Sequence, residues 1–131
     1  MEGNITKKER DCIIALHDHI SLPVRLFNIA EMLNIKAPTA HELVNRLISK
    51  GVIEKNNGVI SLTEYGNKVY GDIITAHRTM EIIFTKSGVN SDEACSEIGK
   101  IDYLMDEKSI EKLLLNIGNP EKCPHGKPVK P

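Results

Sequence analysis

The feature that most limits the possible folds of this 131-residue sequence is a β-hairpin signal between helical stretches. The apolar-rich segments Val52-Ile53-Glu54-Lys55 and Val59-Ile60-Ser61-Leu62 flank Asn56-Asn57-Gly58. Asn-Gly fits the two central positions of a tight hairpin turn, because both positions need a positive φ angle. The sequence therefore predicts a short two-stranded wing inside a mainly helical chain.

Three short amphipathic helices are predicted before the hairpin. The first begins with Thr6-Lys7-Lys8-Glu9, which has the capping-box pattern, continues through Ile13, Leu16 and Ile20, and is ended by Pro23. The next two share apolar residues at i, i+3, i+4 and i+7: Leu26, Ile29, Ala30 and Leu33, then, after the turn Asn34-Ile35-Lys36, Ala40, Leu43, Val44 and Leu47. Together with the hairpin they predict a winged helix-turn-helix.

The third helix has its own start and stop signals. Pro38 lies at its entry, Thr39-Ala40-His41-Glu42 has the spacing of a second capping box, and Gly51 lies where a helix commonly ends. We expect Glu42 to act as a helix cap, since a carboxylate repels phosphate unless it accepts a hydrogen bond from cytosine.

After the hairpin the pattern becomes wholly helical. Thr63 is a candidate N-cap for a long helix from Glu64 to about Lys86, whose apolar stripe is Val69, Ile73, Ala76, Met80 and Ile83. This stripe either covers the core of the winged domain or packs against a second subunit. Two shorter helices, about Ser91–Tyr103 and Lys108–Ile117, precede an extended Pro-rich tail that starts at Asn119.

The expected fold class is therefore mainly α with a small β-hairpin wing. We predict a winged helix-turn-helix domain over residues 1–63 and a helical domain with an extended tail over residues 64–131. The sequence has no apolar run of the roughly 20 residues that a membrane span needs and no signal-peptide pattern, so we expect a soluble cytoplasmic protein. Three widely spaced cysteines favour reduced thiols or metal ligands over disulfides.

The third helix is the candidate DNA-reading element, because the N-terminal residues of the second helix of a helix-turn-helix enter the major groove. The net charge is −1, so a DNA-binding face has to come from local placement of charge. Thr39 and Asn45 can bond base edges, and basic side chains can reach phosphates. The candidate contacts are Lys36, Pro38, Thr39, His41, Asn45, Arg46 and Lys50, and on the wing Lys55, Asn56 and Asn57. A plain polar turn is the alternative for the wing residues.

Six residues have side chains that divalent transition metals favour: His77, Glu81, Cys95, Asp102, Cys123 and His125. His77 and Glu81 are four residues apart on one helix face. Cys95 and Asp102 are seven apart, which predicts one shared face of the next helix. Cys123 and His125 lie in a Pro-rich segment. Surface contacts and a disordered tail are the alternatives; a mixture of thiolate, imidazole and carboxylate favours zinc or iron over manganese.

The order and spacing of several segments resemble the diphtheria-toxin-repressor and manganese-transport-regulator family (DtxR/MntR-like) along nearly the whole chain. These segments are Asn28-Ile29-Ala30-Glu31-Met32-Leu33, Pro38-Thr39, Gly51-Val52-Ile53, Leu62-Thr63-Glu64-Tyr65-Gly66, Ala76-His77-Arg78-Thr79-Met80-Glu81 and Cys123-Pro124-His125-Gly126-Lys127-Pro128. The resemblance implies a homodimer that binds pseudo-palindromic operators, with a second domain that dimerises and holds metal. The SH3-like domain of many members is expected to be absent.

The resemblance also implies which residues bind metal. One family site uses a His and a Glu of the long helix, which match His77 and Glu81, and some members add the Cys and His that match Cys123 and His125. A further ligand falls at or near Cys95. At the positions of the other family site this sequence has Lys8, Gly99, Asp102 and Tyr103, so that site is expected to be absent or rebuilt.

The expected function is a metal-responsive DNA-binding repressor that acts as a homodimer and is not an enzyme. No nucleophile–base constellation or phosphate-binding glycine loop is present in the sequence. Two alternatives stay open. One is a regulator with a structural metal and another signal, for example oxidation of Cys95 or Cys123; the other is a protein-interaction module that does not bind DNA.

Overall fold

The structure, a computed structural model, describes residues 4–19 and 23–131. Its elements are α1 (Lys7–Asp18), α2 (Leu26–Leu33), α3 (Ala37–Ser49), β1 (Ile53–Asn56), β2 (Val59–Leu62), α4 (Glu64–Lys86), α5 (Ser91–Ile98), a 3₁₀ turn (Asp102–Leu104) and α6 (Glu107–Asn116). The mainly α fold class with a β-hairpin wing is confirmed. In this part of the chain no helix combines the length and apolarity that a membrane crossing requires.

The described chain forms two compact units. One comprises Ile5–Tyr70, and the other comprises Gly71–Pro131 together with Asn4. The division falls within α4, which contributes its first two turns to the winged unit and the remainder to the helical unit. The predicted boundary between residues 63 and 64, at the start of the same helix, stays a prediction.

The first helix begins as its sequence predicts. Thr6 Oγ1 accepts a hydrogen bond from the Glu9 amide at 3.1 Å, and the Thr6 amide donates to Glu9 Oε1 at 2.8 Å. These reciprocal bonds satisfy two amides that the helix itself leaves without partners and confirm the capping box. The helix ends at Asp18, before Pro23; the predicted apolar position Ile20 lies outside the described residues.

The helix-turn-helix is formed by α2 and α3. Asn34 ends α2 with a φ of 53°, and α3 begins after Lys36 with a proline in its first two positions. Thr39 therefore lies inside the helix, and the prediction that Thr39 and Glu42 form a capping box is wrong. The fixed φ of Pro38 suits a helix start by itself, and no side chain caps this end. Four apolar side chains of α3 are buried as predicted: Ala40, Leu43, Val44 and Leu47.

The wing is a regular antiparallel hairpin. Strand β1 pairs with β2 from Ile53↔Leu62 to Asn56↔Val59. Asn57 and Gly58 have φ angles of 51° and 80°, as the predicted Asn-Gly turn requires. The base of the wing is extended by Val24, whose carbonyl accepts from the Ile60 amide at 2.8 Å.

Helix α4 starts directly against the wing. Thr63 Oγ1 accepts from the Gly66 amide at 3.0 Å, which confirms the predicted N-cap. Gly66 lies against the chain at the start of the hairpin, where a Cβ atom would be 2.0 Å from the Val52 carbonyl oxygen. This close approach accounts for the glycine in the Leu62–Gly66 segment.

The helical unit has its own apolar core. Ala76 and Met80 of α4 pack with Ala94, Ile98 and Ile110 of α5 and α6. This part of the α4 stripe is therefore covered by neighbouring helices of the same chain, and neither of the two alternatives from the sequence applies to it.

The segment between α5 and α6 differs from its prediction. The helix predicted over Ser91–Tyr103 ends at Ile98, followed by Gly99, a residue of low helix propensity. The Ile101 amide donates to the Ile98 carbonyl at 2.9 Å, and the chain continues into a 3₁₀ turn that begins at Asp102.

The tail after α6 is non-helical, as predicted, but it is folded onto the unit. Val129 is 1% exposed and packs with Ile82 and Leu114. Its amide donates to the Glu121 carbonyl at 2.9 Å, and Arg78 Nη1 donates to the Pro128 carbonyl at 2.6 Å. The alternative of a disordered tail does not apply to this structure.

Candidate metal centre and nucleic-acid interface

Helix α4 places two candidate ligands, His77 and Glu81, on the same side of the helix. His77 is 9% exposed and Glu81 is 3% exposed. Nε2 of His77 lies 3.2 Å from Oε1 of Glu81, as their spacing of one helical turn predicts.

Two further side chains contact the His77 ring from opposite sides. Nδ1 lies 2.9 Å from Oδ2 of Asp102, and Nε2 lies 3.3 Å from Sγ of Cys95. Because α5 ends before Asp102, the prediction that Cys95 and Asp102 share one helix face is wrong. A carboxylate on one imidazole nitrogen, with a soft ligand beside the other, is the usual surrounding of a metal-binding histidine.

The tail brings its two candidate ligands to the same region. The chain reverses direction here: the Gly126 amide donates to the Cys123 carbonyl at 2.9 Å, and the Cys123 amide donates to the Lys127 carbonyl at 2.8 Å. Nδ1 of His125 lies 2.9 Å from Oε2 of Glu81.

The donor atoms form two groups, and within each group the atoms lie within 4.8 Å of one another. We call His77, Glu81 and Cys95 the helix triad, and Glu81, Cys123 and His125 the tail triad. Five of the six predicted ligands thus converge on two sets that share Glu81. Asp102 belongs to neither set; its carboxylate contacts the far side of the His77 ring.

The residues present fit a divalent cation. Oε2 of Glu81 is buried without a hydrogen-bond partner, although His125 Nδ1 is only 2.9 Å away, so this contact lacks hydrogen-bond geometry. A buried carboxylate oxygen without a hydrogen-bond partner destabilises the folded protein unless a positive charge is nearby. Imidazole, thiolate and carboxylate together are the donor set of divalent transition metals.

Asp92 is not among the ligands predicted from the sequence. Its Oδ1 lies 3.7 Å from Nε2 of His125, and its side chain is 93% exposed. The available signal was its position three residues before Cys95, which places both on one face of α5. At the remaining positions of the other family site, Lys8, Gly99 and Tyr103 provide no carboxylate, imidazole or thiolate.

The third cysteine has a different environment. Cys12 lies in the winged unit and is fully buried. Burial, followed by the nearby charges of Glu9 and Asp11, raises the pKa of Cys12 to about 12. Cys12 therefore stays a neutral thiol near neutral pH, and Cys95 and Cys123 are the candidate sulfur ligands.

The candidate DNA-reading surface is exposed. On and beside α3 the exposed candidates are Lys36, Pro38, Thr39, His41, Asn45 and Arg46, and on the wing Lys55, Asn56 and Asn57. Nδ2 of Asn45 lies 3.4 Å from Nδ1 of His41, one turn away. Arg25 Nη1 donates to the Asn57 carbonyl at 3.1 Å and so fixes the wing tip to the start of α2.

Arg46 of α3 and Lys50 at the C-terminal end of this helix both lie near Glu9, an acidic residue inside the winged unit. Glu9 is 0% exposed; Lys50 Nζ lies 2.8 Å from its Oε1, and Arg46 Nε lies 3.8 Å from its Oε2. Burial raises the pKa of Glu9, but the hydrogen bonds from Lys50 and the Thr6 amide and the charges of Lys50 and Arg46 outweigh it, so the pKa lies below its ordinary value. This ion pair competes with the phosphate contact predicted for Lys50.

Comparison with known proteins identifies the family. A winged helix-turn-helix followed by a helical unit with buried transition-metal donors defines a class of metal-dependent regulators. Residues 63–131 match the iron dependent repressor, metal binding and dimerisation domain, and the chain belongs to this family.

The chain is also similar to individual proteins in sequence and in fold. The chain is 33% identical over 113 residues to an uncharacterized HTH-type transcriptional regulator of Aeropyrum pernix, a match that covers 82% of this chain and spans only 60% of that relative. Its fold is similar to the crystal structure of the hypothetical protein SSo2273 from Sulfolobus solfataricus (TM-score 0.87, 27% identity, 97% of this chain and 100% of that one). It is also similar to T. acidophilum IdeR (TM-score 0.67, 26% identity, 97% and 60%).

Proposed function

We propose that this chain is a metal-responsive, DNA-binding transcriptional repressor of the cytoplasm that acts as a homodimer. The observation that supports this most directly is the convergence of thiol, imidazole and carboxylate donors in the unit that matches the metal-binding and dimerisation domain. The same chain has a helix-turn-helix with an exposed α3 in its other unit.

The residues that would bind metal are His77 through Nε2, Glu81, Cys95, Cys123 and His125. A bound divalent cation would supply the positive charge that the buried Glu81 carboxylate lacks. Asp102 holds the His77 ring with Nδ1 as donor, so that Nε2 presents its lone pair to the cation side. The two sulfur donors favour zinc or ferrous iron over manganese.

The DNA contacts follow from the exposed residues of α3 and the wing. We assign base-edge contacts in a major groove to Thr39 and Asn45, and phosphate contacts to Lys36, Lys55 and Arg46, all of which are exposed. We assign Lys50 a smaller contribution to phosphate binding, because its ammonium group neutralises Glu9.

The homodimer is supported by exposed apolar residues of the helical unit. Leu104 in the 3₁₀ turn is 63% exposed, and Leu115 of α6 is 72% exposed. Large exposed apolar side chains of this kind are candidates for burial in an interface between subunits. Two DNA-binding units joined in a dimer gain affinity through effective concentration.

The test is DNA binding by the full chain with and without metal. Duplexes selected from a random pool in the presence of Zn²⁺ or Fe²⁺ should bind with an affinity that falls as salt rises, and by about 5- to 150-fold when the metal is removed. The double variant His77→Ala, Cys123→Ala should lose this metal response, whereas the exposed-site control Glu97→Gln should keep it. Affinity that is insensitive to both salt and metal would contradict the proposal.

A further inference from the structure

We propose that Glu81 bridges two divalent cations, one held by the helix triad and the other by the tail triad. This inference rests on the proposed function, since it concerns the same metal centre, and it adds the number of cations and the role of each cysteine. The two sites would differ in location: the first between α4 and α5, the second between α4 and the tail.

The two oxygens of the Glu81 carboxylate face different partners. Oε1 lies 3.2 Å from Nε2 of His77, and Oε2 lies 2.9 Å from Nδ1 of His125. A carboxylate with one oxygen toward each of two histidines has the arrangement of a bridging ligand. The buried Oε2 also lacks a hydrogen-bond partner, so this oxygen needs a partner of its own, beyond the one near Oε1.

The donors do not form one common set. Within each triad the donor atoms lie within 4.8 Å of one another, and among the described residues no such group contains both histidines or both cysteines. A single cation, which binds its ligands at about 2.0–2.3 Å, can therefore be bound by only one of the triads unless the side chains rearrange. Each triad offers one nitrogen, one sulfur and one oxygen, and leaves one tetrahedral position for water or another ligand.

The buried charges also match two cations. When both cysteines are thiolates, they add their charges to those of the Glu81 and Asp102 carboxylates, which are 3% and 1% exposed. With one cation bound to each thiolate, two thiolates and two carboxylates balance the four positive charges of two divalent cations.

The experiment is an anaerobic Co²⁺ titration of the full chain, with bound metal counted by elemental analysis after desalting. Thiolate-to-Co²⁺ charge-transfer absorption reports the cysteines, and electron paramagnetic resonance reports coupling between neighbouring ions. We expect two Co²⁺ per wild-type chain with coupled spins, and one uncoupled Co²⁺ in either Cys95→Ala or His125→Ala. His125 is partly exposed, so its variant should fold normally, which far-UV circular dichroism can verify. Cys12→Ala is the thiol control and should keep both ions.

The other outcomes separate this inference from the proposed function. A single Co²⁺ in the wild-type chain, whether lost in one variant or in both, would overturn the bridged pair and leave a metal-responsive regulator intact. Two Co²⁺ that persist in the Cys95→Ala and His125→Ala variants would overturn the ligand assignment. Absence of any stoichiometric Co²⁺ binding would contradict both the inference and the proposed function.

Discussion

Nδ1 of His77 lies 2.9 Å from Oδ2 of the buried Asp102, and Nε2 faces Cys95 and Glu81. Because an ionised carboxylate only accepts hydrogen bonds, Asp102, which lies outside both ligand triads, favours the tautomer of a neutral His77 ring with its proton on Nδ1. This contact fixes the orientation of the ring before any cation arrives.

Replacing Asp102 with Asn should weaken metal binding about 10- to 100-fold, because a neutral amide orients the imidazole less firmly and lowers its basicity. Competition with a chelator of known affinity measures the change. Glu97→Gln, which makes the same kind of change on an exposed side chain, should leave the affinity as it is. Unchanged affinity in the Asp102→Asn variant would show that the His77 contact has no orienting role.

Replacing Gly66 with Ala should destabilise the winged unit by about 3 kcal/mol, since the new Cβ would lie 2.0 Å from the Val52 carbonyl oxygen. Gly71 is the matched control on the same helix, because a Cβ there meets, within 4 Å, no described atom beyond its chain neighbours and the adjacent helix backbone. Gly71→Ala should stabilise the protein by about 0.5–1 kcal/mol through lower unfolded-state entropy. Urea unfolding at one fixed protein concentration distinguishes the two, and equal effects of both variants would refute the close contact.

Stability should fall in acid because of Glu9. Its pKa in the folded protein lies below the ordinary value of 4.5, so its contribution is present above that pH and is lost as the pH falls through the folded-state pKa. Glu9→Gln should therefore lower the free energy of unfolding by about 1–3 kcal/mol at pH 7 and flatten its dependence on pH in the acid range. Asp11→Asn, at a more exposed ion pair with Lys7, should cost no more than about 1 kcal/mol. A Glu9→Gln variant with the wild-type acid profile would exclude Glu9 as the source.

Lys36 and Thr39 should affect DNA binding in different ways. Lys36→Glu should weaken binding to every duplex by a similar factor and reduce the salt dependence, because it removes the phosphate contact that we propose for this residue. Thr39→Ala should change the preference at particular base pairs, each worth about 1–3 kcal/mol of discrimination. Fluorescence anisotropy on a panel of single-base variants of the selected duplex separates these effects. A uniform loss for Thr39→Ala would remove it from the base contacts.

Local signals in the sequence were enough to predict most of the fold. The capping box at Thr6, the Asn57-Gly58 turn and the N-cap at Thr63 each depend on side chains and backbone angles within a few residues. The start of α3 differs from its prediction because two local signals, Pro38 and the Thr39 capping pattern, are both present, and the proline determines the start.

The arrangement of the metal centre depends on contacts that are distant in the sequence. Spacing alone placed Asp102 on the helix of Cys95, whereas a 3₁₀ turn brings it to the opposite side of the His77 ring. The position of the tail depends on Arg78 and Val129, neither of which has a local pattern that would reveal its partner. The pairing of Lys50 with Glu9 likewise requires the packing of α1 against α3.

The packing of Val129 and the Arg78–Pro128 bond have a consequence for biosynthesis. During translation the segment with His77 and Glu81 leaves the ribosome well before Cys123 and His125 are made. A nascent chain can therefore present only a partial set of the proposed donors until translation has passed Val129 and residues 121–129 have packed against the helical unit. The proposed tail triad would then form later in synthesis than the His77–Glu81 pair.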